Sequence, residues 1–329
     1  MTKNRLFKQG LGFAISAGCL WAIAGRIHLD EVEHVLAGLH WRYLIFGVVS
    51  LVFGYCMRIL RWSILLRASG ARVATIACAA PFLVSIMLNN ILPLRAGDIV
   101  RAFVFPAAIN VRRTTATASL VLERLIDLLS LLLCLGIGLV LSPKSDLPVW
   151  VKNTASSLSI VSGMAIAVIV LFNRPIIRLL AGLARHARRA LHGRIAAALE
   201  LILELFSSLG TMSRPSLLPI LGLCSLFVWL GEAGLFLALL AGFHLNATIP
   251  AALIAVAMTT LSTLVPSAPG YVGTFHMAAF AAATFLGASP AQATSFAVMT
   301  HLTVWVSTTA AGAIAAVTTP RLFSWARSA

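Results

Sequence analysis

Six stretches of this chain are apolar for long enough to cross a bilayer, and that constrains its fold more than any other feature. They run over residues 11–27, 41–59, 116–141, 149–172, 216–241 and 291–317. A helical crossing of the hydrocarbon core takes roughly 20 apolar residues. No water is present there to bond a peptide N–H or C=O, so each crossing must be a helix that satisfies its own backbone. With 60% hydrophobic and 11% charged residues over 329 positions, the composition departs from that of soluble domains in the same direction. The fold class expected is an all-α polytopic membrane protein. No cleaved leader is expected: Lys3, Arg5 and Lys8 precede the first run, but no small-residue cleavage site follows it.

Two further regions, about 75–109 and 248–287, are apolar at both ends and broken in the middle, by "LPLRAGD" and "VPSAPGYVG". Pro and Gly interrupt a helix, so each region is expected to enter and leave the membrane on one side as a re-entrant hairpin. Two full crossings per hairpin would give the same sidedness and a count nearer ten helices. Orientation follows from where Lys and Arg gather. The N-terminal tail, residues 61–72, the Arg112–Arg113 pair, the long segment 173–214 and the tail with Arg321 and Arg327 are basic. Residues 28–34, 142–148 and 243–248 have little or no positive excess. The expected topology is six spanning helices plus two broken hairpins in a bacterial inner (cytoplasmic) membrane, with both termini cytoplasmic.

Four segments follow: residues 1–73 with two spans, 74–172 with the first hairpin and two spans, 173–214 as a basic cytoplasmic segment, and 215–329 with a span, the second hairpin and a last span. The net charge of +15 resides mostly in the basic loops, so nucleic acid is not an expected partner. Within the basic segment, Ile176, Ile177, Leu179, Leu180 and Leu183 recur at helical spacing, as in an amphipathic helix lying on an anionic leaflet. The five cysteines stand singly in apolar runs, with no metal or disulfide spacing, and are expected as small core residues.

A shift of about 173 positions superimposes the two broken regions. Ala74–Ile76 falls on an identical Ala247–Ile249, Leu88 on Leu261, Pro93 on Pro266 and Gly97 on Gly270. After a gap of about four residues, Arg124 and Leu125 fall on His301 and Leu302. An odd number of crossings separates the two regions in the expected topology, so the repeat would be inverted. Inverted repeats with discontinuous helices are the build of many secondary transporters, whose sites lie at the breaks.

The first break concentrates charge. Arg95, Asp98 and Arg101 are spaced i, i+3, i+6, which predicts one side of the half-helix that starts near Gly97. Glu123, Asp127, Ser130 and Cys134 make a second stripe on the following span, with Arg124 at its edge, and Glu232 stands alone in "FVWLGEAGLF". Arg58 and Arg61 close the second span and are expected to snorkel toward the interface. Each charge buried in a bilayer costs about 2.5–3.5 kcal/mol on insertion scales. One reading is a self-neutralising network of Arg95, Arg101 and Arg124 with Asp98, Glu123 and Asp127; for the cluster as a whole a functional role is the expectation, since packing alone could be had from Leu and Ala. The second break has no Arg. His276 within it and His301 one span on are read as helix-packing residues or as proton-sensitive groups facing a cavity.

"NNILPLRAGDIVRAF", "LVLERLIDLLSLLL" and "PSAPGYVGTFHMAAFAAATFLG" followed by "HLTVWVSTTAAG" resemble the lysylphosphatidylglycerol synthase transmembrane-region family. That family includes the flippase domain of the multiple peptide resistance factor, YbhN-type membrane proteins and a branch associated with hopanoid biosynthesis. The resemblance implies lipid translocation or handling between leaflets. It implies a cavity lined by Asn89, Pro93, Arg95, Gly97, Asp98, Arg101, Glu123, Arg124, Asp127, Pro269, Gly270 and Gly273. Many members have Glu where this chain has His276, and the soluble transferase domain of the fused members is absent from this sequence.

The leading functional expectation is a lipid flippase whose cargo is an anionic or aminoacyl phospholipid, a polyprenyl phosphate or a hopanoid. Membrane lipids are its expected partners, and no cofactor, metal or catalytic residue is expected. The alternatives are a membrane-embedded lipid-modifying transferase or hydrolase, using Glu123, Asp127, His276 and His301 as acid–base groups, and a scaffold for a lipid-synthesising enzyme. No metalloprotease motif or nucleophile elbow supports the enzyme reading.

Overall fold

The computed structural model describes residues 14–23, 35–142, 175–183 and 193–322, with residue 32 and single residues between 153 and 172. Among these residues it is helical with no strand. The helices are α1 (Ala14–Ile23), α2 (Trp41–Ala68), α3 (Thr75–Ile91), α4 (Ala96–Phe103), α5 (Arg113–Leu141), α6 (Gly193–Met212), α7 (Leu218–Gly242), α8 (Ile249–Ser262), α9 (Thr274–Phe285) and α10 (Pro290–Thr318). Four of them, α2, α5, α7 and α10, are long and apolar enough to cross a membrane. They coincide with four of the six apolar runs. Of the first run, α1 is described; the run at 149–172 lies outside the described residues apart from scattered positions. Residues 175–183 of the basic segment are helical.

Helix ends fall where the local chemistry requires. At the end of α2, Gly70 takes φ +88 and donates its N–H to the Arg67 carbonyl, while Ala71 donates to the Leu66 carbonyl. This paired closure at a left-handed glycine satisfies carbonyls the helix itself leaves open. At the end of α3, Leu92 precedes Pro93 and is forced into an extended conformation (φ −98, ψ 145). The chain then turns through Pro93–Arg95 and starts again as α4, which folds back on α3. A Cβ on Gly97 would fall onto the Ser85 carbonyl oxygen, so only glycine allows α4 to lie this close. The second broken region is built alike: α8, a turn at Pro269–Tyr271, then α9 packed back on α8.

The helices pack reciprocally. The span before the first hairpin, α2, packs along the span before the second, α7. The first arm of the first hairpin, α3, packs on α10, which follows the second hairpin. The first arm of the second hairpin, α8, packs on α5, which follows the first hairpin. The two hairpin turns, Pro93–Arg95 and Pro269–Tyr271, touch one another. A main apolar core, including Leu51, Leu135, Phe236, Ile254, Phe280 and Phe296, lies among these elements. Cys78 and Cys224 are buried as expected, but Cys56 is exposed, on an outer face of α2 rather than in the core.

The α2–α7 contact depends on small residues, as helix pairs do where lipid provides no hydrophobic drive toward association. Ser50 Oγ donates to the Gly231 carbonyl at 2.8 Å, and a Cβ on Gly231 would stand 2.6 Å from the Gly54 Cα and backbone N. Those neighbours are main chain and cannot rotate away. Replacing Gly231 with Leu is therefore expected to abolish the monodisperse peak of the detergent-purified protein in size-exclusion chromatography. Gly136→Leu, at a position with open space around it, should leave that peak unchanged.

Candidate functional site

The first hairpin turn is held by an amide. Asn89 Oδ1 accepts the Asp98 backbone N–H at 3.1 Å, and Asn89 Nδ2 donates to Asp98 Oδ1 at 3.0 Å. The bonded N–H belongs to the third residue of α4, so the side chain of α3 caps α4 across the break. Leu94 (φ 60) and Arg95 (φ 52) both sit in the left-handed region, which is costly for residues with a Cβ. That backbone turns Arg95 away from the side of α4 that carries Asp98 and Arg101. The three residues therefore do not act along one stripe, as their spacing suggested. Asp98 accepts from Arg124 Nη2 at 2.6 Å. Arg101 donates to Glu123 at 2.8 Å, with its guanidinium over the rings of Trp62 and Phe82. Arg95 reaches the second hairpin, where Nη2 donates to the Thr263 carbonyl (3.1 Å) and Oγ1 (2.8 Å) and Tyr271 lies under the guanidinium.

Arg58 and Arg61 do not snorkel. Arg61 is fully buried, donating to Asp127 at 2.7 Å and Ser225 at 2.8 Å. Arg58 bridges Asp127 (3.2 Å) and Glu232 (2.5 Å) beside the ring of Trp229. Both lie inside the α2–α7 contact, and the carboxylates of α5 and α7 draw them inward. The network is thus larger than the neutral set of six that the sequence suggested. Five guanidinium groups (Arg58, Arg61, Arg95, Arg101, Arg124) face four carboxylates (Asp98, Glu123, Asp127, Glu232), and Arg95 has no carboxylate within ion-pair distance among the described residues. In the second stripe, Ser130 bonds back to the Ile126 carbonyl of its own helix, and Cys134 packs on the apolar core.

The second hairpin is held by its histidines. His301 Nε2 lies 2.7 Å from the Gly270 carbonyl, His276 Nδ1 accepts the Gly273 N–H at 3.3 Å, and the two rings are 4.4 Å apart. Arg124 and His301, which align in the repeat, thus play the same part, since each ties the break before it to the span that carries it. Gly273 (φ +93) lies directly against the backbone of Ser16 in α1, whose hydroxyl accepts the Ala268 N–H.

Three cavities meet at the breaks. A central one of about 140 Å³ is lined by Asn89, Arg95, Glu123, Arg124, Glu232, Gly270 and His301 together with aromatic rings. A lateral groove of about 530 Å³ between α5 and α8 includes Arg58, Arg95, Asp98, Arg124 and Asp127. A cleft of about 200 Å³ between the turns is bordered by Pro93, Arg95, Pro269 and Gly270. Among the residues expected at the site, Gly97, Arg101, Gly273 and His276 line none of the three; they shape the hairpins instead. Sequence reasoning missed Asn90 and Thr263, which fall on one another under the 173-residue shift. Each offers its main-chain carbonyl to a side chain of the other half, Trp305 at 3.4 Å and Arg95 at 3.1 Å.

The Arg101–Glu123 pair, at 1% and 2% exposure, gives a direct test of what the buried charges do. Removing one partner of such a pair costs about 3–5 kcal/mol, whereas replacing both with apolar residues is nearly neutral. Arg101→Leu is expected to lower the thermal midpoint in detergent sharply, and the double variant Arg101→Leu/Glu123→Leu to recover most of that loss. If the single and double variants melt alike, the pair does not hold α4 to α5.

No curated protein sequence matches the chain. The family model described as the lysylphosphatidylglycerol synthase TM region matches residues 9–312, which takes in both breaks, every arginine and carboxylate of the network and both histidines. The chain is a multi-pass membrane protein that belongs to this lipid-related family.

Proposed function

We propose that the chain moves a polar-headed lipid between the leaflets of a bacterial inner membrane, its head group passing the two breaks while its tails remain in the lateral groove. The observation that carries this reading is the chemistry of that groove. Its lining combines Leu120, Val121, Leu128, Leu131, Leu261 and Leu264 with Arg58, Arg95, Asp98, Arg124 and Asp127. A polar solute has no use for a leucine wall, and a wholly apolar lipid has none for buried charge, which costs free energy in a membrane. Near one end α5 and α8 are in tight contact, since a Cβ on Gly138 would stand 2.9 Å from the Pro250 carbonyl. The groove lies toward the other end, with Val121 and Leu264 exposed at its rim, as a sideways entrance from lipid requires.

The reciprocal packing supports a two-fold repeat of α2–α5 and α7–α10, which we take as inverted, in a frame of six spanning helices and two re-entrant hairpins with both termini cytoplasmic. An axis that exchanges two halves makes each element meet its own counterpart or repeats its contact with the roles reversed. The pairs α2–α7, α3–α10 and α8–α5, with the two touching turns, follow that rule. The lipid would move unchanged; candidate cargoes are an anionic or aminoacyl phospholipid, a polyprenyl phosphate and a hopanoid.

Leaflet exchange of a panel of labelled lipids in proteoliposomes tests the proposal. Exchange of one lipid class is expected above the protein-free rate, and at least about tenfold slower with Arg95→Ala, the factor carried by one charge-assisted hydrogen bond. If no lipid exchanges, with or without a proton gradient, translocation is excluded. Glu123-dependent change in lipid composition would instead identify a transferase or hydrolase.

A further inference from the structure

Arg95 differs from the other four arginines of the network in a way that specifies a ligand. Arg58, Arg61, Arg101 and Arg124 each hold a carboxylate at 2.5–3.2 Å. Arg95 holds none among the described residues. Its two bonds to Thr263, both from Nη2, go to a neutral hydroxyl and a carbonyl rather than to a carboxylate. Among the described residues it is also the one arginine that borders all three cavities. Two successive left-handed residues, Leu94 and Arg95, hold it there; such a conformation persists only where its surroundings impose it.

We infer that Arg95 receives a single negative charge, and that the head group carried at this site is a monoanionic oxyanion such as a phosphodiester or carboxylate, not an aminoacylated, net-cationic one. The inference rests on the proposed lipid site and selects among its cargoes. Five guanidinium groups against four carboxylates leave one positive charge. A monoanion brings the site to neutrality, a net-neutral lipid leaves the surplus as it is, and a lysyl ester adds another positive charge to it. The guanidinium fork suits two oxygens of one phosphate or carboxylate, which would take Nη2 from its neutral Thr263 acceptors. A free anion is disfavoured as the occupant, because the groove that reaches Arg95 is walled mainly by leucines.

Equilibrium binding separates this inference from translocation. The full chain, purified in detergent, is offered equimolar phosphatidylglycerol, phosphatidylethanolamine and lysyl-phosphatidylglycerol with matched acyl chains, and retained lipid is counted by native mass spectrometry. Wild type should retain phosphatidylglycerol about tenfold over the lysyl ester. Arg95→Lys should keep that order, Arg95→Gln should level it, and Arg95→Glu should reverse it. Arg112→Gln, at an exposed arginine (81% side-chain exposure) paired with Glu204, controls for non-specific attraction to a basic surface and should change nothing.

Equal retention of the three lipids by wild type, preference for the lysyl ester, or a preference that survives Arg95→Gln would overturn the inference. So would displacement of the lipid by inorganic phosphate at equal concentration. Selective binding without leaflet exchange would leave this site standing and remove the flippase reading. Leaflet exchange indifferent to head-group charge would do the reverse.

Discussion

A guanidinium group keeps its charge wherever it is placed, so an arginine in hydrocarbon must find an anion, reach the interface or prevent insertion. Much of this protein's interior follows from that constraint. Asp127 stands between Arg58 and Arg61, and Glu232 takes the other side of Arg58. Through these bonds α2, α5 and α7 are locked at one level. Glu123 takes Arg101 and Asp98 takes Arg124, which fix α4 to α5. Removing Asp98, Glu123 or Asp127 would strand an arginine, and removing Glu232 would leave Arg58 to share Asp127 with Arg61, so the pairings depend on one another. The packing of leucines alone would leave these helices free to slide.

The same constraint explains why the helix breaks are tolerated. Broken backbone exposes donors and acceptors that lipid cannot satisfy. The first turn is closed by Asn89 from the preceding helix and by Arg124 acting through Asp98. The second is closed by His276 from its own half-helix and by His301 from the next. Ion-paired groups close one break and imidazoles the other. The two breaks are thus closed by different chemistry although their backbones are alike, and Arg95 of the first turn reaches the second.

Much of this was legible in the sequence, and what was not has a physical cause. Apolar run length gave α2, α5, α7 and α10 to within a few residues at most ends; α2 alone runs on well past its run, to Ala68. Pro93 and Gly97 marked the first break, because Pro forbids helix just before it and glycine alone fits against Ser85. Arg58 and Arg61 were misjudged. They sit at the basic end of an apolar run, the usual signature of snorkelling, and their partners Asp127 and Glu232 are 66 or more positions away. Spacing along one helix carries no trace of such a pair. The direction of Arg95 was hidden for another reason: two left-handed residues rotate it off the face that i, i+3 spacing assigns, and nothing in "PLRAG" announces that Leu94 will adopt φ +60.

The placement of Arg95 also bears on how such a site could work. The two halves meet along α2–α7, where glycines bring main chain against main chain, along α3–α10 and α5–α8, and at the hairpin turns. At the turns, the pair of bonds from Arg95 to Thr263 uses the side chain that faces all three cavities. An oxyanion bound to Arg95 would compete with a hydroxyl and a carbonyl for the same guanidinium, and a charge-assisted bond is roughly twice as strong as a neutral one. Occupancy would therefore weaken the tie between the turns while leaving the α2–α7 contact intact. A ligand that loosens one contact and spares the other supplies the differential affinity for two conformations that any transport cycle needs, and in this fold the differential would come from one residue.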